Sequence, residues 1–351
     1  MVMGWWPAWR TGFASASTAN PCRRVHYSCR VPGAPEATTA WGRSMASKYL
    51  DEERQRRLGR HEYDFDDSLV GRTVLVAGGS GGLGAAICAR LMRDGAGIVL
   101  GYASDRQRAE STAAALRERH GDEVRVAEAD ICTDEGRQRL VAAAEAAPDF
   151  YGVVVCVGDP ARVAPEDVGI TALELALRAN YTGPILLARD CAETLARRRV
   201  PGAVVLLSSM QGVAAFPGSL AYSGPKAALV HAGRILAQEY GGAANIRVNV
   251  VAPGVNEAGM ALASIRSGKY DPFVADGVIP RFGRPEDVAR SVGFLMAPDN
   301  YVTGQVLLVD GGLTLRRGLP GADARRPGRR VAGARPEEMP PAGPRDEGAA
   351  S

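Results

Sequence analysis

The 351-residue sequence lacks any hydrophobic run close to the ~18 apolar residues that a membrane-spanning helix needs. Its formal net charge is only +3 at pH 7, which is too small to indicate nucleic-acid binding. The six cysteines form no Cys-x-x-Cys pair, and no His/Cys cluster has the spacing of a zinc site. These absences argue against membrane, nucleic-acid and metal partners. The scattered cysteines favour a reducing, cytoplasmic location.

The two ends of the chain differ in composition from its middle. Residues 1 to about 44 are Arg- and Ser-rich and nearly free of acids, as transit peptides are, but they lack the apolar stretch of a secretory signal. A third interpretation, which we favour, is that translation starts at Met45. Beyond Leu315 hardly any aliphatic residue remains, which is typical of disorder. The predicted parts are a mostly disordered extension over 1–69, one folded domain over 70–315 and a disordered tail over 316–351.

Short apolar runs alternate with helical patterns between these ends, which predicts a parallel sheet covered by helices. The predicted strands are residues 73–77, 98–102, 124–128, 152–157, 203–207, 247–251 and 305–309. The predicted helices are residues 85–93, 107–119, 135–146, 165–199 and 286–296, and a further helix carries Tyr222 and runs to about residue 240. The helix at 165–199 is expected to bend near 183–184. The fold class is therefore α/β, with a doubly wound, parallel, seven-stranded sheet in one domain.

A glycine-rich turn follows the first predicted strand and opens the first predicted helix. In this context the glycines let the backbone approach a pyrophosphate, and the helix N-terminus supplies free N–H groups and a positive dipole. The turn is therefore predicted to bind a dinucleotide. The residues that would hold it are Gly78, Ser80, Gly81, Gly82, Leu83 and Gly84.

The end of the second strand indicates which dinucleotide binds, because an NAD site places a carboxylate there for the ribose 2′-hydroxyl. The tip of this strand and the residues after it are Tyr102, Ala103, Ser104, Asp105 and Arg106. No acid stands at the tip, and Ser104 and Arg106 could accept a 2′-phosphate, so NADPH is predicted rather than NAD. Against this, Gly81 occupies a turn position where an arginine would have helped. Asp130 and Ile131 follow the third strand, where a side chain could touch the adenine.

A possible catalytic group is formed by Tyr222 and Lys226, which are four residues apart and share one face of a predicted helix. A phenol of pKa about 10 transfers protons poorly at neutral pH, and a nearby ammonium favours its ionised form. Ser209 follows the apolar run 203–207. A hydroxyl, a phenol and an ammonium could therefore meet around one carbonyl oxygen.

These motifs resemble those of the classical short-chain dehydrogenase/reductase family over about residues 70 to 315. The glycine turn looks like the family's Thr-Gly-x-x-x-Gly-x-Gly. Ser209, Tyr222 and Lys226 fall on its catalytic serine, tyrosine and lysine, and Asn180 falls on its catalytic asparagine. The similarity at 281–289 and 301–312 is strongest to the 3-oxoacyl-acyl-carrier-protein reductase branch.

The resemblance implies a Rossmann fold and an enzyme that reduces a ketone with NADPH, either on a carrier protein or on a free metabolite. It implies that Tyr222 donates the proton, while Lys226 holds the nicotinamide ribose and lowers the Tyr222 pKa. Ser209 would orient the carbonyl, and Asn180 would position a water that links Lys226 to solvent. It also implies a homotetramer or homodimer. The further cofactor contacts implied are Gly158, Pro253, Gly254 and Val255.

Three positions depart from the family pattern. The family's Asn-Asn-Ala-Gly after the fourth strand is Val-Cys-Val-Gly at 155–158, which suggests a divergent member. The threonine that meets the cofactor carboxamide is replaced near Ala258. Pro225 interrupts the helix of Tyr222. We expect it in the first helical turn, where its missing N–H would be unpaired anyway, so that the helix starts close to Ala221 and continues.

Residues 255–279 are predicted to form a substrate lid, because a long insertion between a core strand and a core helix is usually functional. Their apolar side chains suggest a bulky, fairly apolar ketone, although these residues could instead only cap the core. A different class of function, a dinucleotide-binding module with little turnover, is motivated by the altered 155–158 segment. The intact catalytic residues favour the enzyme. The sequence leaves the direction open, since an alcohol dehydrogenase would use the same residues.

Overall fold

The computed structural model describes residues 67–121, 123–147 and 149–315. The predicted terminal segments therefore lie outside the described residues, except for the few positions next to the domain. The described part contains one seven-stranded sheet in which every neighbouring pair is parallel, in the order β3-β2-β1-β4-β5-β6-β7. The strands are β1 Thr73–Ala77, β2 Gly97–Tyr102, β3 Val124–Glu128, β4 Phe150–Val155, β5 Gly202–Leu207, β6 Ile246–Pro253 and β7 Val306–Val309. The predicted fold class is confirmed.

Helices cover both faces of this sheet, which explains why most of its strands are continuous apolar runs rather than alternating ones. One face packs against α1, α2 and α9, and the other against α3, α5 and α6. The helices are α1 Gly82–Arg93, α2 Arg106–His120, α3 Asp134–Glu145, α4 Ile170–Leu177, α5 Gly183–Arg198, α6 Leu220–Tyr240, α7 Leu262–Arg266, α8 Asp271–Ala275 and α9 Pro285–Met296. None of the helices in the described residues is both long and apolar enough to cross a membrane.

β1 pairs directly with β4, and the order of the strands reverses at this point: β2 and β3 follow on one side of β1, and β5 to β7 follow on the far side of β4. In open parallel sheets of this kind, ligands bind outside the carboxyl ends of the strands at such a switch point. The glycine turn after β1 and the segment after β4 therefore lie side by side. The amide of Cys156 donates to the carbonyl of Ala77 at 2.9 Å and closes the ladder there.

Several element boundaries differ from the sequence prediction, and two of the differences lie near the cleft. β4 ends at Val155 instead of residue 157, because its last paired residues are Val155 and Leu206 and the chain then turns over β1. The helical region 165–199 is also divided. A π-helical turn, Arg178–Thr182, lies between α4 and α5, just before the predicted bend.

Pro225 is the sixth residue of α6, so the prediction that it lies in the first turn is wrong. The first turn is anchored on the Ser219 carbonyl, which accepts from the amides of Tyr222 and Ser223. Pro225 therefore removes an amide that would otherwise bond to the carbonyl of Ala221. The helix still continues to Tyr240, as predicted, because only this one intrahelical hydrogen bond is lost.

The lid, residues 255–279, contains α7 and α8 and carries its own apolar cluster. We call this the lid cluster. Its buried members are Met210, Val255, Phe273, Ile279 and Leu313, and Ile265 and Tyr270 pack against it. Several apolar residues that the sequence assigned to a ligand are thus used to hold the lid on the domain.

Candidate active site

A cleft of about 1390 Å³ opens at the carboxyl ends of the strands. It is lined by every predicted cofactor residue except Arg106 and by three of the four predicted catalytic residues. Asn180 is fully buried behind the cleft wall. The cleft is large enough for a dinucleotide together with a small substrate, since ligand sites usually enclose about 300–1,000 Å³.

The turn between β1 and α1 fits a pyrophosphate. Gly81 is the N-cap of α1 and makes no side-chain capping bond, so the first amides of the helix remain available to an anion. A β-carbon at Gly84 would overlap the carbonyl of Gly78, so only glycine allows the helix to start this close to the strand. The lid lies against the same turn, because the amide nitrogen of Gly259 is 2.9 Å from the position that a β-carbon of Gly82 would take.

Ser209, Tyr222 and Lys226 meet in the cleft beside this turn. Ser209 follows β5 and is held by the Gln211 amide, which donates to its Oγ at 3.2 Å. The hydroxyl of Ser208 donates to the Lys226 carbonyl at 2.9 Å and ties α6 to the end of β5. The Lys226 Nζ lies 5.9 Å from the centroid of the Tyr222 ring. The predicted catalytic arrangement is therefore assembled from one strand end and one helix.

The expected lowering of the Tyr222 pKa by Lys226 is not seen. Burial raises the pKa of the Tyr222 phenol, and this outweighs the hydrogen-bonding contribution of the Ser209 hydroxyl, which lowers it. Cys156 and Tyr270 add further contributions that raise it. In this state Tyr222 holds its proton at neutral pH, as a proton donor must.

Lys226 is 2 % exposed, and its Nζ donates to the Leu207 carbonyl at 3.0 Å. Burial lowers the pKa of the Lys226 ammonium to about 8, against a smaller opposing contribution from Cys156. A lysine with this pKa can both hold and release a proton near neutral pH. The physical cause is desolvation, which disfavours the charged form.

Asn180 lies in the π-helical turn between α4 and α5. Its Oδ1 accepts from the Asp159 amide at 3.0 Å, and its Nδ2 donates to the Ala176 carbonyl at 3.1 Å. A β-carbon at Gly158 would lie 2.8 Å from Asn180 Oδ1 and 3.1 Å from Lys226 Nζ. Gly158 therefore permits the amide oxygen and the ammonium to approach the same point, as the sequence prediction for these residues requires.

At the end of β2, Asp105 is the N-cap of α2 and accepts from the Arg108 amide at 2.9 Å. Arg108 and Ser104 line the cleft, whereas Arg106 does not. The hydroxyl of Tyr102 donates to the Glu128 carboxylate on β3 at 2.9 Å. The sequence prediction missed both Arg108 and Glu128, although the pairing of β2 with β3 could have indicated the second.

The loop after β4 also lines the cleft, through residues 160–164, and Cys156 and Gln211 line it beside the catalytic group. The sequence prediction named none of these as site residues. The available signal was their position, since each follows the carboxyl end of a strand of the parallel sheet.

Comparisons with known proteins place the chain among dinucleotide-dependent enzymes. A family model described as enoyl-(acyl carrier protein) reductase matches residues 77–314. The 3-oxoacyl-[acyl-carrier-protein] reductase FabG of Aggregatibacter actinomycetemcomitans is 34% identical over 251 residues, which are 70% of this chain and 100% of that relative.

Solved structures also resemble this chain in fold. A short-chain type dehydrogenase/reductase from Mycobacterium ulcerans has a TM-score of 0.66 and 29% identity over 72% of this chain and 92% of that one. A variant of actinorhodin polyketide ketoreductase with NADPH has a TM-score of 0.64 and 26% identity over 72% of this chain and all of that one.

Proposed function

We propose that this chain, which belongs to the classical short-chain dehydrogenase/reductase family of NAD(P)-dependent oxidoreductases, reduces a ketone to a secondary alcohol with NADPH. The observation that carries the proposal is the meeting of Ser209, Tyr222 and Lys226 in one cleft with an uncapped glycine turn. Burial raises the pKa of Tyr222, so the phenol is protonated at neutral pH, which is the form that a proton donor to a ketone oxygen needs.

In the proposed mechanism the nicotinamide, when bound, supplies the hydride that adds to the carbonyl carbon. Tyr222 gives its phenolic proton to the carbonyl oxygen as negative charge develops there. Ser209 donates a hydrogen bond to the same oxygen and orients the ketone. Lys226, whose pKa lies near 8, then returns a proton to the tyrosinate, and the position of Asn180 beside Gly158 supports a role in carrying protons from solvent to Lys226.

A substrate screen tests this proposal. The protein would be offered β-ketoacyl thioesters and cyclic ketones with NADPH and with NADH, and the absorbance of the reduced nicotinamide would be followed. We expect turnover of at least one ketone with NADPH as the preferred donor. Tight NADPH binding without turnover of any ketone would instead support a dinucleotide-binding module, the alternative that the altered 155–158 segment motivates.

The preference for NADPH is supported by Ser104 and Arg108, which line the cleft beside the end of β2. A guanidinium pairs well with a phosphate, so Arg108→Ala is expected to raise the KM for NADPH by about 10-fold and to leave the KM for NADH nearly unchanged. Arg106→Ala tests the position that the sequence favours. Arg119→Ala, an exposed change in the last turn of α2, is the matched control. Equal changes for both cofactors in Arg108→Ala would contradict the assignment.

Self-association into a homodimer or homotetramer is supported by α4, which keeps four apolar side chains exposed. They are Ile170, Leu173, Leu175 and Leu177, with exposed fractions between 37% and 76%. Exposed apolar side chains grouped in this way commonly mark an interface. Light scattering during size-exclusion chromatography tests this, and a purely monomeric protein at micromolar concentration would rule it out. We also propose that the catalytic domain spans residues 70–315, and that the ketone reaches it either free or bound to a carrier protein.

A further inference from the structure

Two surfaces line the cleft where a ketone would approach Tyr222. One is the loop after β4, residues 160–164, and the other is the lid. Each contributes one cation, Arg162 from the loop and Lys269 from the lid. Both side chains are exposed and can therefore reach a ligand that enters from solvent.

Arg162 is positioned by the lid. Its Nη2 donates to the Met260 carbonyl at 2.6 Å, so the guanidinium bridges the two walls. This bond uses one of the five N–H donors of a guanidinium, and the others remain available. Lys269 is held differently, with its Nζ 5.6 Å from the centroid of the neighbouring Tyr270 ring. Within the described residues, neither cation has a carboxylate within salt-bridge distance.

No acidic side chain of the described residues lines the cleft beside these cations. Asp271 follows Lys269 by two residues, and its carboxylate lies against Gly268 without lining the cleft. Among the described residues that line it, Asp130 is the one acid, and it follows β3, at the opposite edge of the sheet from the lid. Asp159 lies close to Arg162 in sequence, but its carboxylate accepts from the Ala161 amide and does not line the cleft. A substrate in this region therefore meets an excess of positive charge.

The lid also presents a polar surface to the cleft. Ile265 of α7 packs against the lid cluster, while Ser264 and Ser267 line the cleft with Lys269. Apolar side chains, Met260 and Leu262, line it as well. The cleft is thus suited to a molecule with an apolar body and a polar, negatively charged end. A purely apolar ketone would form no charge-assisted hydrogen bond with either cation.

We infer that the substrate is a ketone that carries an oxyanion, a carboxylate, sulfonate or phosphate, which binds between Arg162 and Lys269. The inference rests on the proposed function, because it names the class of ketone that the same site takes. Guanidinium and ammonium groups both form charge-assisted hydrogen bonds to such oxyanions. The negative end lies at the mouth of the cleft, and the carbonyl lies beside Tyr222.

Matched pairs of ketones test the inference. We would compare 4-oxopentanoate, 5-oxohexanoate and 6-oxoheptanoate with their methyl esters, using NADPH. The wild-type protein is expected to prefer one of the acids over its ester in kcat/KM. Lys269→Gln and Arg162→Gln should each raise the KM for that acid roughly 3- to 10-fold and change the KM for its ester little. Arg162→Lys, which keeps the charge, should restore part of the preference.

Arg266→Gln is the control for general changes in the lid, because Arg266 is an exposed cation of α7 that does not line the cleft. If the variants raise the KM for acid and ester equally, Arg162 and Lys269 only stabilise the lid, and the inference is wrong while ketone reduction stands. If no ketone is reduced, titration calorimetry of the acids and esters with the NADPH-loaded protein shows whether the anion site, the proposed reduction or both are wrong. Charge-selective binding would then support the anion site without the proposed reaction, and its absence would overturn both.

The oxyanion could belong to the ketone itself or to the phosphopantetheine arm of a carried acyl group. Acetoacetyl-phosphopantetheine and acetoacetyl-N-acetylcysteamine share the reacting group, but only the first has a phosphate. A lower KM for the first, lost in Lys269→Gln, would place the arm in the site. Equal values for both, together with a preference for a keto acid, would assign the oxyanion to the ketone.

Discussion

Replacement of Tyr222 by phenylalanine is expected to lower kcat by about 10²- to 10⁴-fold, the usual contribution of a positioned general acid. The ring that packs beside Lys226 is kept, and only the proton that would reach the carbonyl oxygen is removed. Binding of NADPH should be unchanged, because the glycine turn and the end of β2 are untouched. Steady-state kinetics and NADPH fluorescence titration measure the two quantities separately.

Tyr240→Phe is the matched control, since Tyr240 ends the same helix and does not line the cleft. It should keep kcat within about twofold, a change worth less than 0.5 kcal/mol in the activation free energy. A Tyr222→Phe enzyme with nearly wild-type turnover would falsify the assignment of the proton donor. Loss of NADPH binding would show instead that the substitution had damaged the fold.

Replacement of Lys226 by methionine should lower kcat by about 10²-fold or more, because the tyrosinate loses its proton source. The stability of the folded protein, in contrast to its turnover, should not decrease in this variant. Lys226 is buried without a carboxylate partner among the described residues, so folding must desolvate its charge. Methionine has a similar length and no charge, and the free energy of unfolding at pH 7 should stay equal or increase. Urea denaturation of both proteins measures it.

The stability difference between the wild-type protein and Lys226→Met should depend on pH. The folded-state pKa of Lys226 is about 8, below its ordinary value of 10.5, so between these values the unfolded chain binds more protons than the folded one. Wild-type stability should therefore rise relative to Lys226→Met as pH increases from about 8 to 10.5. The rise is at most about 3 kcal/mol, the equivalent of this pKa difference. Parallel stability curves for the two proteins over this range would show that Lys226 is not desolvated as described.

The sequence was sufficient to predict the sheet because most of its strands are short apolar runs with turn residues on either side. Thr73–Ala77 and Val124–Glu128 have the predicted bounds. β4 was predicted two residues too late, at 152–157 instead of Phe150–Val155, because Cys156 and Val157 look like further strand residues, whereas the register with β5 ends at the pair Val155 and Leu206. A boundary set by a neighbouring strand cannot be read from one strand alone.

The residues of the site could be predicted where a sequence motif identifies them. Their pKa values could not, because these depend on burial in the folded domain. The sequence places Tyr222 and Lys226 one helical turn apart, but it does not show that both are so enclosed that burial raises one pKa and lowers the other. Arg106 and Arg108 are similarly hard to separate. The N-cap at Asp105 sets the rotation of α2, and this brings the second arginine to the cleft.

The contacts of the lid residues could not be predicted from the sequence either, because apolar residues in a loop can face a ligand or the protein core. The sequence left open whether the apolar residues of the lid contact the ketone or cap the core, and Phe273 and Ile279 are buried in the lid cluster. The polar residues Ser264, Ser267 and Lys269, which precede them in the lid and line the cleft, carried no sequence signal, because polar residues in a loop are ordinary. Their position at the cleft depends on the orientation of α7 and of the turn that follows it.

The close approach at Gly158 limits how far this strand end can diverge during evolution. Cys156 serves the turn through its main-chain amide, which any residue other than proline could provide. Gly158 has no such freedom, because a β-carbon there would crowd Asn180 and Lys226. The side chain at 156 can therefore change while the glycine is retained, and this position can lose the asparagine of the family pattern without disturbing the approach of Asn180 and Lys226 at Gly158.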